Sequence, residues 1–115
     1  MHRGEVYLVD LEPARGVAAN KRRPAVIVSN DGANASAERL GRGVVTVVPV
    51  TSNVERIYPF QVLLSARACG IEQDSKAQAE QVRSIAFEQI GPRLGILPLD
   101  LLAALDEALR LHLAL

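Results

Sequence analysis

The polar and apolar positions of this chain fall into short blocks with two different periods. Val6-Tyr7-Leu8-Val9 is a β-branched and aromatic run between Glu5 and Asp10, which predicts a strand over about residues 4–11. Residues 12–23 hold Pro13, Gly16 and Asn20 and no apolar period, the pattern of a loop. Ala25 to Ser29 predicts the second strand. Residues 31–43 (DGANASAERLGRG) open on turn residues and leave room for one short helical turn before Gly41 and Gly43. VVTVVPV at 44–50 is the clearest strand. Nearly every position in it is apolar, which predicts burial on both faces. Pro49, late in the run, suits a bulge or an edge. YPFQVLL at 58–64 predicts a further strand, and a weaker one spans 76 to 82, ending in Gln81-Val82. Pro92, Gly95 and Pro98 then break the chain.

The period changes in LDLLAALDEALRLHL at 99–113. Leu101, Leu105, Ala108 and His112 share one side of a helix, and Leu102, Leu109 and Leu113 widen that stripe. Asp100 near its start and Arg110 near its end suit the helix dipole. His112 keeps the leucine period and so reads as a structural histidine. Short strands followed by one terminal helix predict a mainly β chain with α: a compact, partly closed antiparallel sheet with a helix packed on it. The length of 115 residues fits a single domain over 1–115.

Composition narrows the function. At 49% hydrophobic the chain supports an ordinary core. Its 13 basic and 13 acidic residues cancel, so any anion site is a local patch and not a global field. One cysteine, Cys69, leaves no internal disulfide and fits a reducing compartment. The N-terminal residues lack the apolar core of a signal peptide. No run approaches the roughly 18 apolar residues of a membrane span. The expectation is a soluble cytoplasmic protein with no membrane partner. His2, His112 and Cys69 have no CxxC or HxxxH pairing, so neither a zinc site nor any other cofactor is expected. The glycines form no phosphate-cradling motif.

Three polar clusters carry chemistry instead. Lys21, Arg22 and Arg23 stand directly before Pro24. The proline ring holds Arg23 extended, and a guanidinium aimed in this way pairs well with phosphate. Position alone also fits a solvated basic loop guarding a sheet edge. Thr51, Ser52 and Asn53 arrive where a buried strand ends, as hydrogen-bond donors to an anion or as plain turn residues. Glu80, Gln81 and Arg83 alternate with apolar residues. In a strand, Gln81 and Arg83 would share one face, opposite Glu80 and Val82. An edge strand with an Arg–Glu pair reads equally well.

In order and spacing, RGEVYLVDLEP (3–13), RPAVIVSND (23–31), VVPVTSN (47–53), YPFQVLL (58–64), EQVRSI (80–85) and the terminal helix resemble the MazF/PemK/Kid family of bacterial toxin–antitoxin toxins. The resemblance spans nearly the whole chain. It implies a homodimer with an SH3-like barrel and a C-terminal helix. It implies an endoribonuclease that cuts single-stranded RNA, often mRNA, at short motifs without a metal, and a cognate antitoxin that blocks the RNA groove. It places a catalytic pair at Arg23 and Thr51 and matches an acid/base residue to Glu80. Many relatives carry GSEQ in the first loop, where this chain has Gly16-Val17-Ala18-Ala19, so Ala18 stands in the place of an acid. Either Glu80 supplies the base or there is no dedicated carboxylate base, with low intrinsic activity as one consequence.

The chemistry agrees with that implication. RNA carries its own nucleophile, the 2′-hydroxyl, and its attack leaves a 2′,3′-cyclic phosphate and a 5′-hydroxyl. Arg23 is too weak an acid to donate a proton readily and fits charge stabilisation. Thr51 fits donation to a non-bridging oxygen. Lys21 and Arg22 would attract RNA, and Ser52, Asn53, Gln81 and Arg83 would contact it. The aromatics Tyr7, Tyr58, Phe60 and Phe87 are too few for a broad stacking platform. Two rival readings remain at this point: a non-catalytic toxin on the same scaffold, of the CcdB type that poisons gyrase, and a binding module that has lost catalysis.

Overall fold

The structure, a computed structural model, describes residues 1–11 and 22–115. Its elements in chain order are β1 (Glu5–Asp10), β2 (Arg22–Ile27), α1 (Asp31–Leu40), β3 (Val44–Thr51), β4 (Gln61–Leu64), the short α2 (Ala66–Cys69), β5 (Ser75–Gln78), β6 (Arg83–Ala86), β7 (Ile90–Ile96) and α3 (Leu99–Leu113). The strands form one antiparallel sheet in the order β4-β5-β3-β2-β1-β7, with β6 also paired to β3. Among the described residues no pairing joins β4 to β7, so the sheet does not close into a full barrel.

β3 is the hub. It pairs with β2 through Val47–Pro49, with β6 through Val44–Val47 and with β5 through Val50 and Thr51. Its side chains alternate between two cores. Val48 and Val50 join Leu105, Ala108 and Leu109 of α3 on one face. Val45 and Val47 join Ala25, Ile27 and Ala37 of α1 on the other. This is the two-faced burial that its apolar sequence predicts. Each fully buried valine contributes roughly 1.5–3 kcal/mol.

Four boundaries differ from the sequence reading, each for a physical reason. β2 begins at Arg22 rather than Ala25, so both arginines belong to the strand. The helical turn within 31–43 is a ten-residue helix. Gly, Asn and Ser hide it as weak helix formers, but its ends are well capped. Asn30 accepts from the Ala33 amide at 2.8 Å, and Gly41 closes the other end at φ 67°. The strand expected over 76–82 is two strands, β5 and β6, split by a 3₁₀ turn at Ala79–Gln81. Strand alternation does not run through such a turn, so the pairing of Gln81 with Arg83 on one face does not hold. The run 58–64 becomes regular only at Gln61.

β7 was hidden by its own breakers. Pro92 is tolerated because β7 is an edge that pairs only with β1. Gly95 is there for closeness: a Cβ on it would stand 2.1 Å from the Cys69 carbonyl oxygen. At Gly91 the same atom would stand 2.6 Å from the Leu8 carbonyl oxygen. α3 has the expected bounds, but its stripe is buried only at Leu105, Ala108 and Leu109. His112 and Leu113 are exposed. The structural role read for His112 is therefore corrected, because the last turn of α3 runs beyond the core.

Polar ties lock the layers. Arg3 donates from Nε to the Val28 carbonyl at 2.8 Å and from Nη2 to Asp106 at 2.7 Å, fastening α3 to the sheet. Glu5 is buried and accepts from the His2 amide at 2.6 Å and the Tyr7 hydroxyl at 3.1 Å, with Arg93 at 3.4 Å. Burial pushes the Glu5 carboxyl up, but the His2 amide, the Tyr7 hydroxyl and Arg93 together outweigh it and hold the carboxyl below its usual range. The Tyr7 phenol is pushed up to about 12, first by burial and then by Glu5.

Gly95→Ala forces β7 away from α2, and the expected loss is about 1–3 kcal/mol, read as a lowered denaturation midpoint. Glu5 supplies the pH dependence. A carboxyl lowered on folding stabilises the protein above its ordinary value of 4.5 and loses that contribution as pH falls through the folded value. Glu5→Gln is therefore expected to cost about 1–3 kcal/mol at neutral pH. Urea melts across pH should show the two proteins converging in acid.

Candidate active site

The site grows from the ends of β2 and β3. Ala25 pairs with Pro49, Val26 with Val48 and Ile27 with Val47. The same register carried back two residues sets Arg23 opposite Thr51. Both line one open cleft of about 620 Å³ with Leu8, Arg22, Pro24, Val50 and Ser52, a volume typical of ligand sites. The opposite wall is the segment after α2: Gly70, Ile71, Glu72, Gln73 and then Ser75 of β5. Gly70 ends α2 at φ 72° and turns this segment toward the arginines.

Arg22 and Arg23 are both exposed. An Arg22 guanidinium nitrogen lies 3.5 Å from where a Cβ on Gly91 would stand. Arg23 donates to the Arg22 carbonyl at 3.3 Å. Neither forms an ion pair among the described residues. Two neighbouring guanidiniums without carboxylate partners among the described residues suit the cleft to an anion of the phosphate class. Thr51 is half-buried, and its Oγ1 accepts from the Asn53 amide at 3.3 Å. That bond orients the hydroxyl and leaves its proton to be donated. Ser52 adds a second hydroxyl to the lining.

The other sequence candidates fall elsewhere. Asn53 is exposed and outside the lining, and its side chain accepts from the Glu55 amide at 3.2 Å, a turn role. Glu80 lies on the 3₁₀ turn and does not line the cleft. Its Oε2 accepts from Gln61 at 2.6 Å, and its buried Oε1 has no partner. Gln81 is exposed on the same turn. Arg83 donates to the Leu11 carbonyl at 3.0 Å, where the chain leaves β1. Lys21 and Ala18 lie outside the described residues.

Sequence reading missed Glu72. It is the one carboxylate in the cleft lining among the described residues. Its only sequence signal is a polar run, Glu72 to Ser75, placed just after a helix-ending glycine. Cys69 is buried, and burial followed by the nearby Asp100 pushes its thiol up, away from the reactive thiolate. Among the described residues, no three or more His, Cys, Asp or Glu side chains gather as a metal would require.

The comparisons with known proteins bear on the family and the fold. The family described as PemK-like, MazF-like toxin of type II toxin–antitoxin system matches residues 2–113. Endoribonuclease MazF9 of Mycobacterium tuberculosis is 64% identical over 115 residues, covering 100% of this chain and 98% of that protein. The solved M. tuberculosis toxin MazF-mt6 has a TM-score of 0.78 at 23% identity and covers 96% of this chain and 97% of its own. A mycobacterial endoribonuclease solved with its cognate antitoxin has a TM-score of 0.77 at 23% identity and covers 100% of this chain and 96% of its own. At that identity the two structures share the fold. With a family match over nearly its full length and a close full-length relative, this chain belongs to the PemK-like, MazF-like toxins of type II toxin–antitoxin systems.

Proposed function

We propose that this protein is an endoribonuclease toxin that cleaves single-stranded RNA, with mRNA as its main class of target. The observation that carries the reading is the meeting of Arg22, Arg23, Thr51 and Ser52 in one cleft. RNA needs no enzyme nucleophile there. The 2′-oxygen loses its proton and bonds to the adjacent phosphorus, and the bond from phosphorus to the 5′-oxygen breaks. A 2′,3′-cyclic phosphate and a 5′-hydroxyl result. The leaving oxygen takes its proton from solvent, which the open cleft admits.

Each residue has a task in this scheme. Arg23 offsets the charge that builds on the phosphorane, with Arg22 beside it for the neighbouring phosphate. Thr51 donates to a non-bridging oxygen. Glu72 takes the 2′ proton, since it is the carboxylate within the cleft, whereas Glu80 is committed to Gln61. The scheme needs no metal. The gyrase-poisoning alternative has no comparable use for paired arginines facing hydroxyls.

The proposed setting follows from the family. The toxin acts in the cytoplasm, and no helix among the described residues is long and apolar enough to cross a membrane. A cognate antitoxin is its expected inhibitor. A homodimer is the expected assembly, supported by exposed apolar residues such as Val44, Leu63, Leu111 and Leu115.

Purified protein with mixed-sequence RNA in excess EDTA should give discrete fragments ending in 2′,3′-cyclic phosphate. Arg23→Ala should lower kcat by about 10²–10³-fold while the protein stays folded. Glu72→Gln should lower kcat by about 10²–10⁴-fold while the protein stays folded. A fully active Arg23→Ala enzyme would remove Arg23 from the chemistry, and an unchanged kcat in Glu72→Gln would remove Glu72 as the base.

A further inference from the structure

The connection between β3 and β4 carries a constellation that the cleft chemistry does not use. Tyr58 and Phe60 stack with parallel, offset rings, their centroids 5.3 Å apart and their planes within 3°. The Arg56 guanidinium lies 5.7 Å from the Tyr58 ring centroid and donates to the Tyr58 hydroxyl at 3.2 Å. The Tyr58 ring is thus flanked by the parallel Phe60 ring and, at its hydroxyl end, by the Arg56 guanidinium. Tyr58 is 41% exposed and Arg56 is exposed as well.

Two buried polar side chains hold this loop from beneath. Lys76 is 8% exposed, yet its ammonium faces no carboxylate and donates to the Arg56 carbonyl at 2.6 Å. Gln61, 7% exposed, accepts from the Tyr58 amide at 3.1 Å and donates to Glu80 at 2.6 Å. Burying a lysine and an amide to fix an exposed loop costs free energy, which points to a need for a fixed geometry there. Lys76 is also the strand partner of Thr51 and follows Ser75 of the cleft lining. The stack is thereby pinned beside the cleft, along the path of a strand that leaves it.

We propose that the Arg56–Tyr58–Phe60 stack is a subsite for one unpaired RNA base flanking the cut. The base stacks on the exposed Tyr58 ring, which the parallel Phe60 ring supports, and Arg56 lies beside it at the hydroxyl end. Guanidinium planes and aromatic rings are the usual partners of splayed RNA bases, and stacking tolerates any base. The positive charge of Arg56 also favours the adjoining phosphate. The subsite thus adds grip without adding sequence preference. It rests on the reading of the protein as an endoribonuclease.

The test uses RNA oligonucleotides carrying the cut motif, with 2′-deoxyribose at the cut nucleotide to prevent cleavage. One set holds the motif alone, and the other adds one flanking nucleotide on either side. In the wild type, the flank on the stack's side should tighten binding by about tenfold or more. An abasic flank should forfeit that gain. Arg56→Gln and Tyr58→Leu should each lose most of it, with far-UV circular dichroism confirming the fold. A gain that survives in both variants, or in the abasic RNA, overturns the subsite. So does a result in which both variants keep the gain and lose only binding to an acidic polypeptide. Absence of any wild-type cleavage of unmodified RNA would overturn the enzymatic reading itself, whereas cleavage without a flank effect overturns the subsite alone.

Discussion

The double burial of β3 governs everything else in this molecule. A strand with apolar side chains on both faces must be covered on both, and here α3 covers one and α1 the other. Its register is then fixed, because a slip by one residue would exchange the contents of two filled cores. Thr51 is where that constraint runs out. It is the last residue of the strand, half-buried, with its backbone fixed in the ladder and its hydroxyl at the cleft. Arg23 sits at the matching end of the partner strand. Both residues lie within strands, which suits the proposed role of groups that meet a reacting phosphate within a fraction of an ångström.

The electrostatics of the cleft complement this rigidity. The chain has no net charge to draw an anion from a distance. Local positive charge comes instead from two exposed guanidiniums that form no ion pair among the described residues. Glu5, the buried acid that opens β1, is already matched to Arg93, the His2 amide and the Tyr7 hydroxyl. Arg3 is matched to Asp106. Among the described residues, the ion pairs that hold the layers together thus do not engage Arg22 or Arg23.

Much of this was legible in the sequence, and the limits have physical causes. The apolar run 44–50 and the leucine period of α3 fixed the core strand and the terminal helix, because burial writes a strong pattern. RP and TSN marked Arg23 and Thr51, because a strand end followed by small polar residues has a local signature. What escaped depended on contacts between distant segments. β7 looked like a broken chain because its glycines answer to Cys69 and Leu8, not to their neighbours in sequence. α1 was hidden by weak helix formers that its caps and the buried Asn34 compensate, through bonds to Ser29 at 2.5 and 2.9 Å. Glu80 sat in a family-like motif, yet a 3₁₀ turn directs it to Gln61. Glu72 had no motif and enters the cleft only because α2 ends where it does.

The turn at Ala79–Gln81 has a dynamic consequence. One long strand along β3 would open and close as a unit. Two short ones, β5 on the last residues of β3 and β6 on the first, divide that edge into separately hinged leaves. Local opening in proteins follows such divisions. An opening at β5 would take Lys76 with it and leave the β2–β3 and β6–β3 pairings, and so the α1 core, in place. The protein is in this sense a clasp with one fixed jaw, and that jaw is the β2–β3 pair that carries Arg23.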